Sequence, residues 1–241
     1  MGLDVYTGTL TRYYSRDWET YWARVAREAG VDSVRVEVGE DGAEIVEKRD
    51  PEEVHGEVVA WRDAVKEATA DAPDPVRMDW DESPERPYFT EKPDWDGYAA
   101  LMLHAAYAMR TDVERPENIP EDWRNDPVYL EVMEGGLENN LCSFIMFPEL
   151  WLPGDFTFLF MHEDLEGSET VIASTEALRA NLHGLNDHTF RAEPETAARW
   201  LRGEVQEAEN RFEANAMHGF AIFLYLAEQA VANSLPMLLD Y

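Results

Sequence analysis

Lysine is nearly missing from this chain. Three lysines, Lys48, Lys66 and Lys92, sit among 20 basic side chains that face 50 Asp and Glu. No fifty-residue stretch has a basic surplus, and phosphate contacts need clustered Lys and Arg, so nucleic acid is not an expected partner. Cysteine is reduced to Cys142 within Leu141-Cys142-Ser143-Phe144-Ile145. That excludes an intramolecular disulfide framework and reads as an inert core thiol. Long hydrophobic runs are missing too. The longest, Phe220 to Ala227, has eight residues, whereas a membrane span needs about 20. The opening Met1-Gly2-Leu3-Asp4 has no basic or apolar leader region, so the reading is a soluble, cytoplasmic protein with no membrane partner. No Gly-x-x-x-x-Gly-Lys, Gly-x-Gly-x-x-Gly or Gly-x-Ser-x-Gly occurs. No cofactor is therefore expected, and no nucleophile elbow.

Carboxylate is what the chain has in excess. The formal net charge is −30, and successive fifty-residue stretches carry between −4 and −9. An excess shared along the whole length describes a solvated acidic surface, not a binding tail. Salt-loving proteins use such surfaces for solubility despite the self-repulsion, because at ~1 M salt the screening length falls to ~3 Å. The rival reading is an immunity-type inhibitor whose acidity steers it onto a cationic partner.

Hydrophobic residues make up 45 % of the chain and aromatics 12 %, enough for a full core. The pattern reads as a strand at 3–10 with a turn after Gly8, then a helix over 18–29 capped by Asp17 and closed by Gly30. Ser33 to Val38 alternates with period two, and Asp41-Gly42 turns it into a hairpin with Ala43 to Val46. Asp50-Pro51-Glu52-Glu53 opens a second helix with an N-cap and a first-turn proline; Val54, Val58, Trp61, Val65 and Ala68 form its core stripe. Residues 70–97 are rich in Pro and acid yet hold Trp80, Tyr88, Phe89 and Trp95, which describes an ordered surface loop. A helix at 97–110 is apolar all round and therefore central. Further helices are expected at 127–134 (ended by Gly135-Gly136), 175–186, 194–202 and 204–234. Paired strands are expected at 156–162 and 170–173 around Glu166-Gly167-Ser168. Strands and helices mix without βαβ alternation, so the expected class is α+β: one domain spanning 1–241, a small mixed or antiparallel sheet packed with several helices, and a long C-terminal helix.

Histidine is the first place to look for chemistry. Glu52-x-x-His55 has the spacing of half a di-iron carboxylate site, but no second such pair exists. His55, His104 and His218 would make a three-histidine cluster only if the fold brought them together. The ordinary expectation is otherwise: His55 flanks a helix stripe, and His104 is a core imidazole with at least one ring nitrogen satisfied. His183 and His188 sit at a helix end, and His162-Glu163-Asp164 closes a strand. No metal site is expected. Carboxylate pairs are so frequent that their spacing locates no acid–base pair. Asp79-Trp80-Asp81 and Asp94-Trp95-Asp96 offer aromatic faces beside carboxylates, which suit a cationic ligand or a sugar; the competing role is to pin the loop to the core.

The block Gly2-Leu3-Asp4-Val5-Tyr6-x-Gly8-x-Leu10-Thr11-Arg12-Tyr13-Tyr14, followed by Asp17-Trp18, resembles the opening of a group of microbial proteins without an assigned activity. The likeness continues at Pro87-Tyr88-Phe89-Thr90-x-Lys92-Pro93-x-Trp95-Asp96-Gly97-Tyr98, near Leu152-Pro153 and at Leu185-Asn186. It implies no substrate. Asp4 stands between Leu3 and Val5, so it faces the other side of its strand, and Arg12 is its candidate ion-pair partner. Asp4, Arg12, Tyr13 and Trp95 are the expected lining of one surface pocket. The functional expectation is a non-catalytic binding or interaction protein with an unidentified ligand or protein partner. The alternatives are a small-molecule hydrolase using carboxylates or a histidine-bound metal, and the acidic inhibitor above.

Overall fold

Neighbouring residues of four short strands are buried on opposite sides, which places helices over both faces of one sheet. The computed structural model describes residues 2–31, 36–39, 42–45, 47–74, 76–135 and 142–241. In chain order the elements are β1 (Asp4–Thr7), α1 (Leu10–Tyr14), α2 (Tyr21–Glu28), β2 (Val36–Gly39), β3 (Gly42–Ile45), α3 (Pro51–Ala68), β4 (Phe89–Glu91), α4 (Asp94–Ala108), α5 (Pro127–Glu134), α6 (Ser143–Met146), β5 (Leu150–Leu152), β6 (Phe160–Glu163), β7 (Glu169–Ser174), α7 (Thr175–His188), α8 (Pro194–Leu201), α9 (Arg211–Asn233) and β8 (Met237–Asp240). Six strands form a mixed sheet in the order β4-β1-β8-β5-β7-β6. β5 and β7 are parallel, and the other neighbouring pairs are antiparallel. β2 and β3 pair separately, with Gly39 opposite Gly42. The α+β class and the long C-terminal helix stand as expected.

The period of two sorts the core into two layers. Val5, Trp151, Ala173, Met237 and Leu239 pack with α4, α7 and α9. Tyr6, Leu150, Leu152, Ile172 and Leu238 pack on the other face with α1, α3 and the Val76–Trp80 stretch. α4 is buried all round, from Ala99 through Tyr107. It lies against α9, where Gly97 and Gly219 let the two backbones approach. α3 follows its sequence signals: Asp50 accepts from the Glu52 amide, Pro51 opens the first turn, and Val54, Val58, Trp61 and Val65 are buried. Ala68 departs from that stripe and is exposed, while Thr69 takes the buried position.

Several boundaries move for local reasons. The first strand ends at Thr7, and the expected turn after Gly8 is α1, capped by Thr9. α2 starts at Tyr21 because Thr20, not Asp17, accepts from the Ala23 amide. The expected strand at 156–162 is limited to Phe160–Glu163, paired with β7. α9 begins only at Arg211, where Asn210 caps the Glu213 amide. β4 lies inside the stretch read as loop, and α4 opens three residues early at Asp94. Two strands had no expectation at all, β5 and β8. Each has only three apolar residues, Leu150–Leu152 and Met237–Leu239, buried on both faces, so neither shows alternation. Ser33, Val34, Arg35, Asp41, Val46, Gly136 and Leu141 lie outside the described residues.

Candidate functional site

A stretch without regular structure must place its backbone carbonyls somewhere, and residues 76–88 place theirs on arginines. The Arg62 guanidinium donates to the Met78 and Trp80 carbonyls, the latter at 2.9 Å. It lies over the Trp80 ring, 4.3 Å from its centre. Arg12 donates to the Arg86 carbonyl at 2.7 Å and to that of Pro84, and stacks on Tyr88 at 4.9 Å. Arg86 in turn donates to the Asn233 carbonyl at the end of α9, where a cation meets the negative pole of the helix. Glu82, only 5 % exposed, closes the other side. It accepts from the Leu10 and Thr11 amides at 3.2 and 2.8 Å and from the Trp80 indole, so it caps α1 from seventy residues away. The loop is thus a fixed wall.

That wall faces the carboxyl ends of the parallel pair. β5 and β7 end side by side, with Leu152 opposite Ser174. Ser174 is the N-cap of α7: its hydroxyl accepts from the Ala177 amide at 3.2 Å and donates to the Gly154 carbonyl. Gly154 has φ +129, a conformation open to glycine. Between the two sides lies a cleft of 580 Å³, lined by Arg77, Asp79, Asp81, Arg86, Asp155 and Glu176 among others. Small-molecule clefts span ~300–1,000 Å³, and the carboxyl ends of parallel strands are where α/β sheets bind ligands.

The charges of the cleft divide by whether the chain itself satisfies them. Glu176 is held by Arg179 at 2.6 Å. Asp81 accepts from the Ser83 amide at 2.9 Å and its hydroxyl at 3.1 Å. Those bonds hold Asp81 below the usual carboxylate range, so it stays ionised. Arg86 keeps a buried Nε–H with no acceptor. Arg77, Asp79 and Asp155 form no hydrogen bond or ion pair among the described residues.

The four residues expected to share one pocket are divided between the two ends of the sheet. Asp4 stands opposite Asp240 in the β1–β8 register, at the end away from the cleft. Its ion-pair partner is Lys92, at 3.5 Å, and not Arg12; Arg12 is occupied by loop carbonyls. Burial raises the Asp4 carboxyl above its usual range, Lys92 opposes this, and Asp240 adds to it. Tyr13 donates to Asp240 at 3.0 Å and lines a small acidic cavity with Tyr241. Trp95 packs against Tyr241 at 5.9 Å and lines another cavity, beside Trp123 and Arg124. Asp4, Tyr13 and Trp95 share one end of the sheet with Asp240-Tyr241, which no reading of the sequence singled out. The aromatic faces expected to await a cation already carry one of the chain's own: Arg62 over Trp80, and Arg124 at 6.0 Å from Trp95 and 4.7 Å from Trp123.

The histidines do not converge. His55 meets Thr11 at 3.4 Å, and His218 meets the Trp200 carbonyl at 2.8 Å. His104 stacks on Phe190 at 4.2 Å with neither ring nitrogen hydrogen-bonded, contrary to the expectation for a core imidazole. Among the described residues, no three His, Cys, Asp or Glu are grouped as metal ligands. His188 sits at the last turn of α7 with its ring 2.8 Å from the Gly184 carbonyl. Burial pushes the Cys142 thiol up to about 12, which leaves it inert. Among the described residues, no helix is long and apolar enough to cross a membrane. Compared with known proteins, the chain matches no family model, no curated protein and no solved structure.

Proposed function

We propose that the protein is a non-catalytic binding protein whose ligand is a small polar molecule, held in the cleft at the carboxyl ends of β5 and β7. The observation that carries this is the cleft itself, 580 Å³ at the carboxyl ends of the parallel pair, with Arg77, Asp79 and Asp155 on its lining. An acid–base hydrolase built on two carboxylates would need a protonated carboxyl beside an ionised one. Asp4, the carboxyl that burial raises, is at the far end of the sheet, and Asp81 in the cleft stays ionised. The test is a thermal-shift screen of polar metabolites in 2 M KCl, run in parallel on Arg77→Ala/Asp155→Ala. Compounds that raise Tm in the parent and not in the variant support the cleft. Stabilisation that survives in the variant, or none at all, overturns it.

The same proposal places the protein in the cytoplasm of a salt-adapted cell. Its single thiol is buried and inert, and the chain carries 50 acidic against 20 basic groups. Exposed pairs such as Arg27–Glu19, 60 % and 38 % exposed, contribute ~0–1 kcal/mol each and do not offset the repulsion among the remaining carboxylates. Tm is therefore expected to rise steadily between 0.1 and 2 M KCl, as the screening length shrinks from ~10 Å to below ~3 Å. Sucrose at equal osmolality should raise it less. A Tm that is flat or falls with KCl contradicts the salt-adapted reading.

A further inference from the structure

We propose that α2 and the β2–β3 hairpin form a docking surface for a second copy of this chain, with the two hairpins joined edge to edge across a two-fold axis. The surface draws on none of the cleft residues. An amphipathic surface helix ordinarily buries its apolar stripe. In α2, Tyr21, Trp22, Val25 and Ala26 have that spacing, yet none of its residues is buried. Neither core layer draws on it. Trp22, and Val31 just beyond the helix, are each 59 % exposed. The hairpin is equally alone. Among the described residues β2 and β3 pair only with each other, and an isolated two-stranded ribbon is marginal in water. Its register sets Glu37 opposite Glu44, and like charges directly across a ladder weaken it further.

Proteins usually cover or blunt open strand edges, and this one does so at both ends of its large sheet. β4 is bordered by residues 19–24: the Thr90 hydroxyl donates to the Glu19 carbonyl at 3.3 Å, and Arg24 pairs with Glu91 at 3.1 Å. At β6 the Trp61 indole donates to the Glu163 carbonyl at 2.7 Å. The hairpin has no third strand, so the N–H and C=O groups along its edges call for one. A second copy supplies it, because antiparallel pairing of a strand with its own copy is self-complementary, as a two-fold interface requires. Charge selects the same place. Two bodies at −30 repel each other, so they meet most readily where carboxylates are neutralised. Arg24 and Arg27 hold Glu91 and Glu19 in ion pairs, which leaves Glu28 as the one carboxylate of α2. Two Trp22 side chains brought together there bury apolar area that a single copy leaves in water. The repulsion between the rest of the two bodies is screened at 2 M KCl, where the screening length is below ~3 Å, so the association tightens with salt.

The test is sedimentation velocity of the full chain over a thousandfold range of concentration, in 0.1 and 2 M KCl. The expected result is a discrete species of two chains that forms below about 100 µM in 2 M KCl and is at least tenfold weaker in 0.1 M. Trp22 is exposed and takes part in neither core, so Trp22→Glu should keep the parent's Tm and weaken the dimer at least tenfold. Met161→Glu, at another large hydrophobic left in water (64 % exposed), should leave the dimer unchanged. Amide hydrogen exchange at residues 36–39 and 42–45 should slow at least tenfold from monomer to dimer, which a dimer through any other surface would not produce. A chain that stays monomeric at both salt concentrations overturns the proposal. So does a dimer that Trp22→Glu leaves intact, one whose hairpin amides exchange as fast as in the monomer, or open-ended assembly in place of a dimer.

Discussion

Gly219→Ala is expected to destabilise the fold by about 3 kcal/mol, the upper part of the range for overpacking a tight core. The same change at Gly97, its partner across the α4–α9 contact, should be close to neutral. A Cβ at Gly219 would lie 2.9 Å from the Gly97 carbonyl carbon and closer still to its oxygen. Those are backbone atoms of a helix buried on all sides, so they cannot rotate away as a side chain would. α4 and α9 would have to separate, and their shared core with Phe220 and Phe223 would open. A Cβ at Gly97 meets the Pro93 Cβ at 3.4 Å and the Gly219 Cα at 3.7 Å, which is near ordinary contact. There the gain of ~1 kcal/mol in helix propensity from Gly to Ala works against the small crowding. Chemical denaturation of the two variants separates the cases. Equal losses at both positions would mean that the two helices are not held at this distance.

Much of the fold was legible because its signals are local. Asp50-Pro51 names the start of α3, and the all-round apolar run from Tyr98 to Tyr107 names the buried helix. β5 and β8 were not legible, since a strand covered on both faces loses the alternation that marks strands in sequence. Their pairing, Leu150 with Leu238 and Trp151 with Met237, joins segments almost ninety residues apart. The stretch read as a loop holds β4, and its fastenings were hidden: Arg12 and Arg62 serve carbonyls far along the chain, and no motif marks an arginine that will cap backbone. The candidate site was hidden for the same reason. Its cleft draws on residues 77–86, 153–155, 176 and 234, four segments that meet only after the sheet has formed. Asp4 was correctly assigned to the face opposite Leu3 and Val5, but its partner came from Lys92 on the adjoining β4 connection. A carboxylate in a strand pairs with whatever cation the neighbouring strand brings beside it, and sequence distance does not rank the choices.

His104 gives the second large effect, and it appears only in acid. The imidazole is 1 % exposed and has no hydrogen-bond partner on either ring nitrogen. Burial holds its pKa down to about 3, from an ordinary 6.5, with the nearby Arg115 charge acting in the same direction. The unfolded chain takes up this proton as pH falls through 6.5, while the folded chain refuses it until about 3. Between those values the unfolded state binds more protons, so stability must fall as pH falls. At 1.36 kcal/mol per pH unit, the loss attributable to this one side chain approaches ~4 kcal/mol at the bottom of the window. The carboxylates act oppositely over part of it, since approach to the pI near 4.3 relieves their mutual repulsion. The clean measurement is therefore a difference. His104→Leu, similar in volume and without polar atoms, should match or exceed the parent in stability at pH 7, because it removes two unsatisfied nitrogens. It should then gain steadily on the parent as pH is lowered from 6.5 towards 3. Parallel pH profiles for the two proteins would mean that His104 takes up its proton in the folded state as readily as in the unfolded one, and that water or a rearranged side chain reaches a ring that the packing of Phe190 otherwise seals.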